Sequence, residues 1–317
     1  MLNDRAVGVS LPRNLPARQI VDFAQSAERL GFDELWIVED CFFRGGIAQA
    51  SVALAATSRI HLGIGILPAA ARNAAFAALE VNTLAELFPG RTTVGVGHGM
   101  PGWMRQVGAW PASPLTMLEE TISAMRALLD GETLSVEGRY VRLRGVALEN
   151  AAQTPPLIVA GVRGPKSLEV SGRVADGTVL AEPVTPEYLA AVRAQVNTSR
   201  PHRVVAYNVA AVHPDASVAR DLARTRLDWV GEQDGRVHID PLPFAEEFFA
   251  LRASVDTPEE FAAVLPDPWV DQLAVVGTAA TARARITELH DAGAHSVVLL
   301  PAGPDPFAAL EALAEVL

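Results

Sequence analysis

Arg91-Thr92-Thr93-Val94-Gly95-Val96-Gly97-His98-Gly99 is a short β-prone run that dissolves into glycine. Thr92 to Val96 reads as a strand, and Gly97 and Gly99 then bracket His98. Glycines this dense remove side-chain bulk where a strand stops, so a ligand can come close to the backbone. Immediately upstream, Ala77, Ala78, Val81, Leu84, Ala85 and Phe88 form a helical stripe that Pro89-Gly90 ends. Two other places share the pattern. Ile60-His61-Leu62-Gly63-Ile64-Gly65-Ile66 precedes it, and Leu157-Ile158-Val159-Ala160-Gly161 follows it and runs on into Val162-Arg163-Gly164-Pro165. Three glycine-ended strands, each followed by helical sequence, predict one site assembled from several strand ends, as in an α/β barrel or an open α/β sheet.

Working outward, the alternation continues through the chain. Strands are expected at Ala6 to Leu11, Leu35 to Val38, Ile60 to Ile66, Thr92 to Val96, Leu157 to Ala160, Thr178 to Ala181, Val204 to Val212 and Ser296 to Leu300. Eight strands, each followed by helical sequence, favour a parallel (β/α)8 barrel over an open doubly wound sheet. Residues 98 to about 113, rich in Gly, Pro and Trp, are expected to be an extended loop. Ser113-Pro114 starts a helix with the stripe Leu118, Ile122, Met125 and Leu129, and residues 133–144 read as an excursion hairpin around Gly138. The organisation expected is one domain over residues 1–317, with insertions after strands four and seven at about 98–155 and 214–277.

Composition narrows the class. The 317 residues carry a net charge of −11, which argues against nucleic-acid binding, since that needs a basic face. No run of about 18 uninterrupted apolar residues is present, so no membrane span is expected. The N-terminus lacks a basic segment followed by an apolar core, and the single cysteine, Cys41, fits a reducing cytoplasm. The histidines show no metal-ligand spacing, so no metal site is expected.

In a barrel, chemistry sits at the C-terminal ends of strands. Those ends supply Arg13 and Asn14, Glu39 and Asp40, Gly65 and Ile66, Gly97 to Gly99, Gly161 to Ser167, Glu182, His213 and Pro301. In Gly161-Val162-Arg163-Gly164-Pro165-Lys166-Ser167, Pro165 fits the first turn of a helix whose free amides and dipole attract an anion. Arg163, Lys166 and Ser167 add charge and a hydroxyl, and a cofactor phosphate is the natural ligand; the plain alternative is an ordinary helix start. Glu39 and Asp40 are neighbours that point to opposite faces unless the chain bends. Either is a candidate proton carrier or substrate contact. His98 is a candidate donor or acid/base, with a packed, hydrogen-bonded histidine as its alternative. Trp103 and Trp110 either wall a planar ligand or cover the barrel top.

Four segments together resemble the bacterial luciferase-like monooxygenase superfamily, most closely its coenzyme F420-dependent branch. They are Gly31-Phe32-Asp33-Glu34-Leu35-Trp36-Ile37-Val38-Glu39-Asp40; Ile60 through Pro68; Thr83-Leu84-Ala85-Glu86-Leu87-Phe88-Pro89-Gly90-Arg91 running into Gly95 to Gly99; and Val159-Ala160-Gly161 through Arg173-Val174-Ala175-Asp176-Gly177. Ala292-Gly293-Ala294 before the last strand belongs to the same pattern.

The resemblance implies a TIM barrel holding F420, or alternatively FMN, at its strand ends. It implies a cis peptide at Gly65–Ile66 behind the ring, and phosphate contacts from Gly97, His98, Gly99 and the Gly161 to Ser167 turn. It also places Glu182 against the cofactor pocket and makes a homodimer the expected assembly. The implied activity is hydride transfer to or from a small organic substrate, with Asp40, Glu39 or His98 handling the proton. The alternatives are a two-component FMN-dependent monooxygenase and a non-catalytic flavin-binding barrel. The sequence departs from the family in two places. Glu39-Asp40 stands where many relatives have Asp-His, and Met100 stands where sugar-phosphate dehydrogenases carry an acid. Both argue against a sugar-phosphate substrate.

Overall fold

A strand covered on both faces has no polar side to present, so its sequence is an unbroken apolar run. The computed structural model, which describes residues 3–317, arranges those runs as β1 (Ala6–Ser10), β2 (Glu34–Ile37), β3 (His61–Pro68) and β4 (Thr92–Gly97), then the antiparallel pair β5 (Leu134–Glu137) and β6 (Arg142–Val146). They are followed by β7 (Leu157–Gly161), β8 (Gly177–Leu180), β9 (Arg203–Val212), β10 (Val275–Gly277) and β11 (Ser296–Pro301). β1, β2, β3, β4, β7, β8, β9 and β11 pair in parallel in that order, and β11 returns to β1. The eight expected strands therefore close into a (β/α)8 barrel.

Three details differ from the sequence expectation. β10, three residues long, adds itself beside Ala210–Val212 of β9. It falls within the stretch read as an irregular insertion, because a run this short carries no periodicity. Residues 98–113 are not wholly extended: Pro101–Gln106 forms a helix with Pro101 in its first turn. Ser113 does precede the helix Pro114–Leu129, but its hydroxyl pairs with Thr116 Oγ1 at 2.8 Å and caps no backbone amide. The hairpin β5–β6 is held by Glu120, whose carboxylate accepts from the amides of Arg139, Tyr140 and Val141.

Three apolar clusters hold the molecule. The largest lies between the barrel and its ring of helices. A second joins Phe248, Phe261 and Leu273 of the segment after β9 to Val209 and Ala211 of β9 and Val276 of β10. The third fills the barrel: Trp36, Val159, Val179, Val205, Tyr207 and Val298, with Val38, Ile66 and Leu300 above them.

The glycines of the opening stretch owe their place to this interior. β3 carries one extra residue relative to β4 between Ile64 and Leu67, which pushes the Ile66 side chain across the barrel. A Cβ on Gly161 would lie 2.2 Å from Ile66 Cγ2, one on Gly95 would lie 2.8 Å from the same atom, and one on Gly97 would lie 3.1 Å from Ile66 Cδ1. Gly63 likewise makes room for the Trp36 ring. The expectation that these glycines leave space for a ligand is therefore corrected at three positions: the space belongs to Ile66.

At the opposite, N-terminal end of the barrel the floor is polar. Glu34, 1% exposed, accepts from Arg203 at 3.0 Å, from Trp36 Nε1 at 2.7 Å and from Ser296 Oγ. His61 pairs with Thr93 Oγ1, and burial pulls its pKa down to about 4. A cavity of about 280 Å³ opens here, lined by Asp33, Glu34, Arg59, His61 and Arg91 among others. It lies a full strand length from the glycine-rich ends.

Candidate active site

β2 stops at Ile37, and the chain turns at once, with Phe43 N donating to Asp40 O at 2.8 Å. The bend sends the two adjacent acids to different partners. Glu39 accepts from Arg72 Nη2 at 2.7 Å and from the Gly46 amide at 2.6 Å, at the start of the helix Gly46–Ala56. Arg72 is held further by Glu80 at 3.4 Å, and its hydrogen bonds to Glu39 raise its pKa. Both oxygens of Glu39 are thus engaged in anchoring a helix start. Asp40 faces Arg13, with Arg13 Nη1 2.9 Å from Asp40 Oδ2. The Arg13 guanidinium also lies over the Phe43 ring, 5.1 Å from its centroid.

β3 contributes the bulge. The Gly65–Ile66 peptide is cis, as the family resemblance implies; Cys41–Phe42 and Glu182–Pro183 are cis as well. Ile66 is half-buried, so one side of it fills the glycine channel and the other faces the mouth of the barrel. Beside it, Gly65 has no Cβ because Tyr207 Oη occupies that place, 2.3 Å from where the atom would be. Tyr207 is 5% exposed, and its hydroxyl has no hydrogen-bond partner among the described residues. Burial, with Glu182, Glu34 and Asp40 nearby, holds this phenol well above its ordinary pKa.

β4 ends at Gly97, and His98 turns toward the next strand's helix, with Nε2 2.9 Å from Ser167 Oγ. Burial lowers the His98 pKa, so the ring is neutral near pH 7. Gly99 adopts φ +70°, and a Cβ there would meet Pro68 and Met104 at 3.1 Å; this glycine does serve the backbone turn.

After β7, Gly164 is the N-cap and Pro165 the first residue of the helix Pro165–Val174. Pro165 has no N–H, and the Ser167 and Leu168 amides donate to the Gly164 carbonyl at 3.0 and 2.9 Å, which leaves the Lys166 amide available to an anion at this helix start. Ser167 stands in that turn bonded to His98. Lys166 is exposed, and Arg163 is half-buried with Asp234 3.8 Å away. Val162 departs from the expectation as a side chain: it is 6% exposed and packs into the outer core, so only its backbone can meet a ligand.

After β8, part of Glu182 is open to solvent, yet protein surrounds the carboxyl closely enough that burial raises its pKa. It sits in a recess at the mouth, with Arg226, Asp40 and Arg13 around it. Behind this turn, His238 from the segment after β9 is fully buried, with Nδ1 3.1 Å from the Pro183 carbonyl and its ring 4.6 Å from that of Tyr188. Burial, with Arg163 nearby, pushes its pKa down to about 3. The Tyr188 hydroxyl in turn donates to the Arg163 carbonyl at 3.2 Å. The long insertion is therefore pinned to both the Glu182 turn and the Arg163 turn.

The strand ends thus bring Asp40, Gly65, Ile66, His98, the 161–167 turn and Glu182 to one mouth, with Glu39 committed to Arg72. Sequence reasoning missed Tyr207, Arg72 and His238. Tyr207 could have been found, because Val205 and Tyr207 alternate on the inward face of a barrel strand. Nothing local marks the other two.

The uncapped helix start suits a phosphate, and the half-open Ile66 face beside the unpartnered Tyr207 hydroxyl suits a flat group with polar edges. Both match a phosphorylated tricyclic cofactor.

Comparison with known proteins agrees with the fold. Residues 3–296 match the family model of luciferase-like monooxygenases. The chain is 29% identical over 311 residues to a 5,10-methylenetetrahydromethanopterin reductase of Methanolobus tindarius, covering 94% of this chain and 95% of that protein. The solved coenzyme F420 dependent tetrahydromethanopterin reductase of Methanopyrus kandleri superposes with a TM-score of 0.81 at 20% identity, covering 98% and 97% of the two chains. An F420-dependent secondary alcohol dehydrogenase, solved with an F420-acetone adduct, gives 0.77 at 21% identity, covering 100% and 98%. No helix among the described residues is long and apolar enough to cross a membrane. With the closed barrel and a family match over nearly its whole length, the chain belongs to the luciferase-like monooxygenase family and is an oxidoreductase of that family.

Proposed function

We propose that this protein transfers hydride between coenzyme F420 and a small organic substrate at the C-terminal mouth of its barrel. The observation that carries the reading is the pairing of an uncapped helix start at Gly164-Pro165 with a ring-sized wall at Gly65-Ile66, linked through His98 and Ser167. F420 is preferred to FMN because the relative matched over 94% of this chain is a methylenetetrahydromethanopterin reductase and two similar folds are named as F420-dependent.

When bound, the cofactor supplies the hydride chemistry. The chain's own residues do the rest. The Lys166 amide at the start of the helix Pro165–Val174, with the Ser167 hydroxyl and the Lys166 and Arg163 side chains, would hold the phosphate. Gly97, His98 and Gly99 would border it, and Ile66 would back the ring. Asp40, paired with Arg13, would meet the substrate. Glu39 is a positioning residue, since its oxygens are taken up by Arg72 and Gly46.

Titration of the purified protein with F420 and with FMN, followed by cofactor fluorescence, tests this. F420 is expected to bind tightly and FMN weakly. Ser167→Ala is expected to weaken F420 about tenfold, the loss of one hydrogen bond to a charged group. Preferential FMN binding would convert the reading to a two-component monooxygenase, and binding of neither would overturn both.

We also infer a homodimer through two helices. Gly46–Ala56 carries no charged residue, and Ala74–Leu87 presents apolar side chains outward beside Glu80, Thr83 and Glu86. Their outward sides leave Val52, Phe76, Leu79 and Leu87 between 45% and 67% exposed, a patch suited to a second copy. Sedimentation velocity should give a dimer for the natural chain and a folded monomer for the Phe76→Glu/Leu79→Glu variant. A monomeric natural chain at micromolar concentration would sink the idea.

A further inference from the structure

We propose that Glu182, in the recess after β8, is the acid that carries the proton accompanying hydride transfer, and that the buried Tyr207 hydroxyl positions the group it serves. This rests on the hydride-transfer reading above and deepens it.

Three acids reach the mouth of the barrel, and the structure treats them differently. Glu39 is bonded to Arg72 and Asp40 is paired with Arg13. Glu182 makes no ion pair and no side-chain hydrogen bond to another residue among the described residues, with its own backbone amide as the donor nearest its carboxyl. The groups facing it come from every neighbouring element: Asp40 after β2, Arg13 after β1, Arg226 beyond the helix Ala216–Arg224, and Tyr207 on β9. Two carboxyls that share a recess do not both ionise readily; the one held by a cation keeps the charge and the other keeps the proton. Arg13 pairs with Asp40, whereas burial pushes the Glu182 pKa up, so of the three acids Glu182 is the one free to carry a proton.

Tyr207 supplies the second, independent observation. A buried hydroxyl without a partner costs free energy that a protein rarely accepts. This one is 5% exposed and ends against Gly65, at the bend of β3 that backs the ring site. Its ring is held edge-on by Trp36, with centroids 5.7 Å apart, and Trp36 is fixed by Glu34. The hydroxyl therefore cannot turn away to find a partner elsewhere in the barrel, and a polar edge arriving at the mouth completes it.

The balance of the step is simple. A carbonyl or activated alkene takes two electrons and one hydrogen as hydride from the reduced deazaflavin or flavin, which is oxidised. The negative charge left on the substrate oxygen or carbon takes the Glu182 proton. The Glu182 O–H bond breaks as the new substrate O–H or C–H bond forms, and Glu182 is left as carboxylate. In the reverse direction Glu182 accepts that proton.

Two measurements on the full chain test the assignment. The first needs no cofactor. Burial and Asp40 raise the Glu182 pKa above its ordinary 4.5, so the folded state keeps a proton that the unfolded chain has lost. Wild-type stability contributed at this site is present below pH 4.5 and is lost as pH rises through the folded value. Glu182→Gln cannot titrate, so its melting temperature should gain on wild type as pH rises from 4.5 through the folded value and hold level above it. An infrared pH titration of wild type should show a protonated-carboxyl band, absent from Glu182→Gln, that persists to a pH above 4.5.

The second uses F420-loaded protein offered simple ketones and enones. For each probe turned over, Glu182→Gln should lose about 10²–10⁴-fold in kcat, the usual range for removing a general acid. Tyr207→Phe should melt no lower than wild type without cofactor, bind F420 several-fold more weakly, and shift the alkaline limb of the pH profile. A difference in melting temperature that does not change with pH, or a Glu182→Gln variant with wild-type turnover, overturns the proposal. Failure of wild type to bind F420 or FMN would overturn the functional reading instead, and the apo measurements would still judge Glu182.

Discussion

Gly161→Ala is expected to cost the protein several kcal/mol of stability and all measurable cofactor binding. The new Cβ would lie 2.2 Å from Ile66 Cγ2, far inside any tolerable contact. Ile66 cannot step aside, because Gly95 and Gly97 are opened for the same side chain and their backbones already enclose it. It is also β-branched, so few rotamers are open to it. Overpacking in a filled interior costs about 1–3 kcal/mol and sometimes more. Here the strain falls on the bulge of β3, which is the wall proposed for the ring. Chemical denaturation and F420 fluorescence would be read together. The control is Gly161→Ala combined with Ile66→Ala. Ile66→Ala alone should cost about 2–5 kcal/mol as a cavity. The double variant should cost clearly less than the two single losses added, since each change relieves the other. Strict additivity would show that Ile66 and Gly161 do not share the space.

This pair also shows what the sequence makes legible. The alternation of apolar runs with helical stripes exposes the barrel, because burial of both strand faces leaves a local signature. The glycines mark positions where nothing larger fits, but a glycine does not name its neighbour. Ile66 stands 95 residues from Gly161 in the chain and meets it only through the extra residue in β3. The acids at the end of β2 illustrate the same limit. Glu39-Asp40 reads as one chemical feature, yet the bend after Ile37 gives Glu39 to Arg72 and Asp40 to Arg13. His98 reads as a candidate acid, and the fold makes it the neutral link between β4 and the Ser167 turn. Local pattern carries the scaffold and the location of the mouth. The division of labour among its residues depends on long-range partners.

The other large effect lies at the far end of the barrel. Arg203→Met should lower stability by about 3–5 kcal/mol, the range for leaving a buried charge without its partner. Glu34 and Arg203 are 1% and 8% exposed, so the truncation leaves the Glu34 carboxylate largely buried without its guanidinium. Ser296 and Trp36 would remain as donors, but neither brings charge. Arg203 also donates to the Asn3 carbonyl at 2.9 Å, so the truncation loosens the start of the chain too. The informative companion is Glu34→Met/Arg203→Met. With both charges gone, no isolated ion is buried, and such replacements are often neutral or stabilising. Urea unfolding should therefore rank the double variant above the single one. The effect also reaches the mouth. Glu34 fixes the Trp36 indole at 2.7 Å, Trp36 fills the place left by Gly63 and meets the Tyr207 ring edge-on, and Tyr207 ends at Gly65. A double variant that regains stability but binds F420 less tightly would mean that Glu34 is kept for the orientation of Trp36 and Tyr207. A loss below about 1 kcal/mol in Arg203→Met would show that the pair contributes little, as exposed pairs do.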